Sequence, residues 1–456
     1  MLIIISDLHM GDNTCGKTIS ADAFRIFRDR LEQMALTASV RDDGRYRPIE
    51  EVHLLLLGDI LEVVHSALWL TERPGEPGYA RPWSDPNQPE LPAKLRQITR
   101  AILKANAQSF AIFRQLASGE AIVLPPADMR GNPATDVGGR IPVRVKIHYM
   151  VGNHDWMYHL PGEPYDQIRQ EIIEALGLQN EPTPFPFDPH ESNALMQMLD
   201  EHRVFARHGD YFDKFNYNQK QGRNVSTLGD ALAIDLLNRF PIEVENRLSG
   251  VLPDSFYREL HEITNIRPSV AAPLWISSQV RQYGGAPSIQ AKVKAIWDEL
   301  AGEFLALKFV RAHDKALNPF DSVDGLEMVL KVTKLASFES INDLMTWIQK
   351  KLWSDALSFA NHAISEAAFT SRRADFIVYG HTHHHEIVPL DTYHVGDRLA
   401  YQIMVNTGTW RTYYDLTRYR PEEQKFIPYQ LMTYLAFYQG DERRGHRYEA
   451  WSGRLV

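Results

Sequence analysis

Five short apolar runs, each ending in residues suited to metal or acid–base chemistry, constrain this chain more than any other feature. Leu2 to Ile5 runs into Ser6-Asp7-Leu8-His9, and His53 to Leu57 runs into Gly58-Asp59. Lys146 to Val151 leads to Gly152-Asn153-His154-Asp155, and Arg203 to Ala206 leads to Arg207-His208-Gly209-Asp210. Asp375 to Tyr379 ends in Gly380-His381-Thr382-His383. Short β-branched and aliphatic runs bounded by Gly or Asp read as buried strands. Polar residues just past strand ends mark the ligand-binding edge of an open α/β sheet. The pattern predicts an α/β protein whose site is assembled from five loops far apart in sequence.

Helical spacing fills the intervals. Phe24, Phe27, Leu31 and Met34 recur with helical period, as do Leu95, Ile98 and Ile102. Two segments break the scheme. Six prolines and two glycines between Pro74 and Pro92 predict a long loop rather than an element. From about Asp213 to Phe369 the text turns helical, as in Ala231 to Phe240, Ile289 to Phe309 and Ile341 to Ala368. This segment reads as a helical insertion dividing a discontinuous domain, residues 1–212 and 370–456. Both its ends adjoin polar strand-end motifs, which predicts a cap over or beside the site. Strand-like text resumes at Leu399 to Val405, followed by an aromatic stretch from Tyr413 that reads as sheet core.

Composition excludes several alternatives. With 44% hydrophobic and 23% charged residues, the chain carries enough apolar text for a real core. Its formal charge is −9, and the insertion has 17 Lys+Arg against 19 Asp+Glu, so there is no global basic field of the kind that draws nucleic acid, which leaves room only for a local basic groove. The single cysteine, Cys15, precludes an internal disulfide and any thiolate-rich zinc site; it reads as a small buried hydrophobe or part of a pocket mouth. The apolar start, Met1 to Ile5, lacks a basic leader and is shorter than a signal peptide, and no run approaches the length of a membrane span. The expectation is a cytoplasmic protein with no transmembrane segment.

The strand-end residues Asp7, His9, Asp59, Asn153, His154, His208, His381 and His383 form a mixed nitrogen–oxygen donor set. Such donors suit divalent manganese, iron, zinc or nickel. They are too many for one tetrahedral ion and divide between two, with a carboxylate such as Asp59 able to bridge. Two ions about 3.5–4 Å apart make a clamp for phosphoryl transfer.

In this order the fragments resemble the calcineurin-like metallophosphoesterase superfamily, whose signature runs D-x-H, G-D-x-x-D/E, G-N-H-D/E, a lone His often followed by Gly-Asp, and G-H-x-H. The matching text is Asp7-Leu8-His9, Gly58-Asp59-Ile60-Leu61-Glu62, Gly152-Asn153-His154-Asp155, His208-Gly209-Asp210 and Gly380-His381-Thr382-His383. The resemblance implies a four-layer fold, two packed mixed sheets flanked by helices, over residues 1–212 and 370–456. It also implies two divalent metal ions, manganese first among them, with a bridging hydroxide. Asp7, His9, Asp59 and His383 would hold one ion, and Asp59, Asn153, His208 and His381 the other. His154 would protonate the leaving oxygen or stabilise the transferring phosphoryl group, with Asp155 orienting it. Glu62 reads either as a brace for a ligand or as a solvated carboxylate. Asn406-Thr407-Gly408-Thr409-Trp410 resembles the turn that follows the last histidine motif in the family, with a packing role.

Within the superfamily the wording is closest to the UDP-diacylglucosamine pyrophosphatase branch, which usually has Arg where this chain has His154 and whose chains are far shorter. The implied activity is hydrolysis of a phosphate monoester, diester or pyrophosphate on a small or amphipathic substrate. A nuclease of the double-strand-break repair type shares Gly-Asn-His-Asp, and some superfamily members are metal-free scaffolds. The acidic charge opposes the first and the complete ligand set opposes the second. Oligomeric state is open.

Overall fold

A computed structural model describes residues 1–135, 138–267, 271–313, 359–417 and 425–454. The protein is mixed α/β. Its larger sheet has five strands in the order β14 (Tyr448–Arg454), β13 (Leu431–Phe437), β1 (Leu2–Ile5), β2 (Glu51–Leu57) and β5 (Arg144–Met150). The three central pairings differ in sense: β1–β2 and β2–β5 are parallel, whereas β1–β13 is antiparallel. A second mixed sheet runs β6 (Val204–Ala206), β8 (Phe376–Tyr379), β10 (Arg398–Thr407) and β9 (His385–Val395). Here β6, β8 and β10 are parallel and β9 is an antiparallel edge.

Strand periodicity explains how the sheets stack. Successive side chains point to opposite faces, and β1 is buried on both. Leu2 and Ile4 pack with Leu55 and Leu57 against Val204, Ala206, Phe376, Val378 and Val405 of the second sheet. Ile3 and Ile5 point the other way, into a core closed by helices Ala21–Ala38, Glu90–Ala105 and Ala107–Ser118. The outer face of the second sheet, through Phe205, Ile377, Tyr379 and Met404, packs against Ala363 and Ala368 of the helical stretch preceding β8. The order is helices, sheet, sheet, helix.

The anticipated helical faces are buried: Phe24, Phe27, Leu31 and Met34 on Ala21–Ala38, and Leu95, Ile98 and Ile102 on Glu90–Ala105. The loop expected to run to Pro92 ends sooner. Pro92 lies in the first turn of the helix beginning at Glu90, where a missing N–H costs nothing. The loop before it is tied down: Arg81 is buried and ion-paired with Asp235 at 3.4 Å, and Trp83 stacks on Phe309 with ring centroids 4.9 Å apart.

The described part of the insertion is helical and builds its own core, including Leu236, Phe240, Phe256, Trp275, Trp297 and Phe304. This core is not self-contained. Leu416 belongs to it, and Trp83, Tyr414 and Phe426 pack against it. A small sheet ties the insertion to the C-terminal region: β7 (Ile266–Arg267) pairs in parallel with β11 (Tyr413–Leu416), which pairs with β12 (Phe426–Tyr429). A two-stranded ribbon, β3 (Val123–Leu124) and β4 (Ile141–Pro142), completes the strands among the described residues. The helical text from Ile341 falls outside the described residues until 359.

Candidate metal centre

The C-terminal ends of β1, β2, β5, β6 and β8 converge, and the residues just beyond them meet. Asp7, His9, Asp59 and His383 offer four ligand atoms mutually within 4.8 Å, all buried. Asp59, His208 and His381 form a second such group. Asp59 belongs to both. Asn153 joins the second group through its Oδ1, 2.9 Å from His381 Nδ1. All seven anticipated ligand residues therefore gather in one place, in the two groups that the motif resemblance implies, around the shared carboxylate.

The loops carrying them are conformationally demanding. Among the described residues ten non-glycine positions have positive φ, and Asp7, His9, Asp59, His381 and His383 are five of them. Left-handed backbone is costly for such residues, and it persists where surrounding contacts hold it for function. The motif glycines are explained by close approach. A Cβ at Gly58, which has φ +81, would lie 2.6 Å from His208 Nδ1, and one at Gly380 would lie 2.5 Å from Asp7 Oδ2. At Gly152 it would collide with the Asp59 carboxylate.

Cross-loop hydrogen bonds lock the arrangement. The backbone N–H of His154 donates to Asp59 Oδ1 at 2.8 Å, and that of His381 donates to Asp7 Oδ2 at 3.1 Å. Thr409 Oγ1 donates to the Asp7 carbonyl at 2.5 Å and Asn406 Nδ2 to the Gly380 carbonyl at 2.7 Å, so the end of β10 and the turn after it knit the two sheet edges together.

The imidazoles are set up as donors to an ion. His208 Nδ1 donates to the Leu57 carbonyl at 3.0 Å and Nε2 faces Asp59 Oδ2 at 3.2 Å; burial opposes charge on this ring, but Asp59 and Asp7 outweigh it and bring it up to about 9. That Nε2 is buried and has no hydrogen-bond partner. His9 Nδ1 donates to Glu62 Oε2 at 2.6 Å, turning its Nε2 toward His383 Nε2 at 2.9 Å and toward the carboxylates of Asp59 and Asp7 at 3.7 and 3.8 Å. Ring nitrogens converging on one another and on carboxylates are what a divalent cation satisfies when it displaces the protons between them, so the residues fit a metal centre.

Electrostatics follow burial and crowding. Desolvation alone would raise Asp59, but His208 and His154 beside it hold its carboxyl far below the usual range. Asp7, buried with less compensation, is raised. Burial opposes charge on His154, yet Glu62 and Asp59 outweigh it and bring the imidazole up to about 9. Burial pushes Cys15 up to about 12, which leaves it an inert buried thiol.

One expected role is corrected. Asp155 does not touch His154. Its Oδ2 accepts from Tyr149 Oη at 2.6 Å and from the Ile60 N–H at 2.8 Å, and its Oδ1 accepts from the Gly152 N–H at 2.6 Å. It lies fully buried beneath the site and clamps the Gly-Asp and Gly-Asn-His loops together. The partner of His154 is Glu62, whose Oε1 accepts from His154 Nδ1 at 2.8 Å. Glu62 is 1% exposed, so the solvated reading of this residue fails. His384 and His385 point away from the donor groups: the former lies edge-on to Tyr413, and the latter donates to the Asn406 carbonyl at 2.8 Å.

The insertion was expected over or beside the site, and it reaches the centre through residues that sequence patterning did not single out. Asp213 Oδ2 sits 3.1 Å from His381 Nε2. Arg267, from β7, places Nη2 2.9 Å from His383 Nδ1. Arg411, at the turn before β11, brings Nη1 to 3.6 Å from Glu62 Oε2. His65 donates from Nδ1 to Asn238 Oδ1 at 2.6 Å and so pins the insertion to the loop after β2. A lone Asp or Arg inside a helical insertion carries no local signal of such a role.

Compared with known proteins, the chain matches no family model, and no protein of curated function is measurably similar to it. Among the described residues no helix is long and apolar enough to cross a membrane.

Proposed function

We propose that this protein is a metal-dependent phosphoric ester hydrolase of the calcineurin-like metallophosphoesterase type. The sharing of Asp59 between two donor groups, one wholly and one largely buried, carries the reading. The layered pair of mixed sheets with the site at their common edge agrees with the fold that the motif resemblance implies. The seven donors, Asp7, His9, Asp59, Asn153, His208, His381 and His383, would hold two divalent ions, with manganese the first candidate.

Bound there, such ions supply Lewis-acid polarisation of a phosphoryl group and activation of water. The protein does the rest. Asp59 is kept ionised by the imidazoles around it, and Glu62 fixes His9 so that Nε2 faces the donors. Glu62 also holds His154 Nδ1–H, leaving Nε2 as the position from which a proton can pass to a departing oxygen. The same carboxylate favours the protonated ring, the form a general acid requires before transfer.

A metal-supplemented hydrolysis screen tests the proposal. A chromogenic monoester, a chromogenic diester, a nucleoside diphosphate-sugar and single-stranded DNA would be compared with and without chelator. Chelator-sensitive cleavage of at least one ester is expected. No cleavage of any substrate by a metal-loaded chain would sink the reading, and preferential cleavage of DNA would redirect it to the nuclease.

A further inference from the structure

Two arginines, Arg411 buried and Arg267 half-buried, face the candidate centre; among the described residues Arg267 has no carboxylate partner and Arg411 has only a long ion pair with Glu62. Arg267 Nη1 donates to the carbonyls of Thr264 at 3.1 Å and Ile266 at 3.0 Å, which fixes the guanidinium without neutralising it. Its Nη2 is directed at the ring of His383. Arg411 is 5% exposed; it donates from Nη2 to the Cys15 carbonyl at 3.1 Å, and its buried Nε has no partner. Its nearest carboxylate, Glu62 at 3.6 Å, already accepts from both His9 and His154. The two arginines are held together by register: Arg267 pairs with Asp415 across β7 and β11, four residues after Arg411.

Like charges brought together away from water repel strongly. The nearby carboxylates of Asp7, Asp59, Glu62 and Asp213 carry no more negative charge than two divalent cations would bring. They do not also neutralise a pair of guanidiniums once the donors are filled. An anion is the complement. A guanidinium offers a planar fork of donors that matches two phosphoryl oxygens.

We propose that Arg267 and Arg411 form an anion clamp for the non-reacting phosphoryl oxygens of the substrate. The helical insertion then contributes directly to recognition of the phosphoryl group, beyond covering the site. The inference deepens the hydrolase reading and rests on it. It also specifies the substrate: a group with at least two free anionic oxygens, as on a monoester or a terminal pyrophosphate, suits two cations better than a diester does.

The test uses the full-length chain supplemented with manganese and inorganic phosphate as the probe. Metal content and phosphate affinity are measured on wild type, Arg267→Ala and Arg267→Lys. Arg267→Ala should keep its metal content and bind phosphate roughly 10–100-fold more weakly, the range for losing a charge-assisted contact. Arg267→Lys should fall between, because it keeps the charge and loses the fork; it also serves if the alanine variant fails to fold. Phosphate affinity within twofold of wild type in either metal-replete variant would overturn the clamp while leaving the hydrolase reading intact. Loss of metal in step with phosphate in both variants would also overturn it, since Arg267 would then act only through His383. A wild type that takes up neither metal nor phosphate would overturn both readings.

Discussion

Glu62 Oε1 accepts from His154 Nδ1 at 2.8 Å while its Oε2 accepts from His9 Nδ1 at 2.6 Å. One buried carboxylate thus sets the orientation and tautomer of both a donor imidazole and the imidazole placed to act as acid. Hydrogen-bonded carboxylates behind metal-binding histidines typically contribute 10–100-fold to affinity or activity.

Glu62→Gln should therefore lower manganese affinity and turnover together, each by roughly 10–100-fold. Asp155→Ala makes the contrast, because it removes a buried acceptor of three backbone N–H groups, of Asp59, Ile60 and Gly152, and of the Tyr149 hydroxyl. Its main effect should be a loss of about 2–4 kcal/mol in stability. Denaturation midpoints beside metal titrations would read the difference. Equal stability losses with unchanged metal affinity would show that Glu62 is merely structural.

The shared position of Asp59 predicts an asymmetry among the ligands. Asp59→Asn should depress occupancy at both positions, whereas His9→Ala should chiefly depress one. Elemental analysis after dialysis against limiting manganese gives the stoichiometries. Two ions per chain retained in Asp59→Asn, with activity intact, would refute the bridging assignment.

For His154 the expectation concerns leaving groups. His154→Ala should retain its metal and lose about two to four orders of magnitude in turnover on an alkyl ester. A nitrophenyl ester, whose leaving group barely needs a proton, should lose much less. Equal losses on both would mean that His154 binds phosphate without transferring a proton.

A separate histidine cluster at the opposite end of the larger sheet predicts acid sensitivity. Burial is the main cause that pushes His148 and His202 down to about 4 from an ordinary 6.5, with the charges of His53 and of the N-terminus adding respectively. The folded state favours both rings neutral. Their contribution is complete above pH 6.5 and is lost as pH falls toward 4, on the order of a few kcal/mol for the pair. The slope of stability between pH 6.5 and 4 should flatten in His202→Gln. An unchanged slope would place the acid sensitivity elsewhere.

Much of the site was legible in the linear text because it is written locally. A short apolar run, a glycine where a Cβ would strike a neighbouring side chain, and a polar residue at positive φ are all properties of a few adjacent residues. Gly58-Asp59 and Gly380-His381 show all three. The helical faces around Phe24 and Leu95 were readable for the same reason, since period and burial coincide. The start of the helix at Glu90 was obscured by Pro92, which breaks helices in their interior and suits their first turn.

The remaining relationships depend on which distant loops the fold presses together. Asp155 stands next to His154 in sequence, yet its backbone carries the side chain downward into the Ile60 and Gly152 amides. Glu62, 92 residues before His154, is the one that faces its ring. Asp213 and Arg267 meet His381 and His383 across separations of 168 and 116 residues. The chain by itself determined the donor types, their order, and the strands that present them. Only the tertiary structure decided which carboxylate serves which imidazole and that the insertion brings Arg267 to the site, because burial and charge pairing depend on distance in space and leave no periodic mark in the sequence.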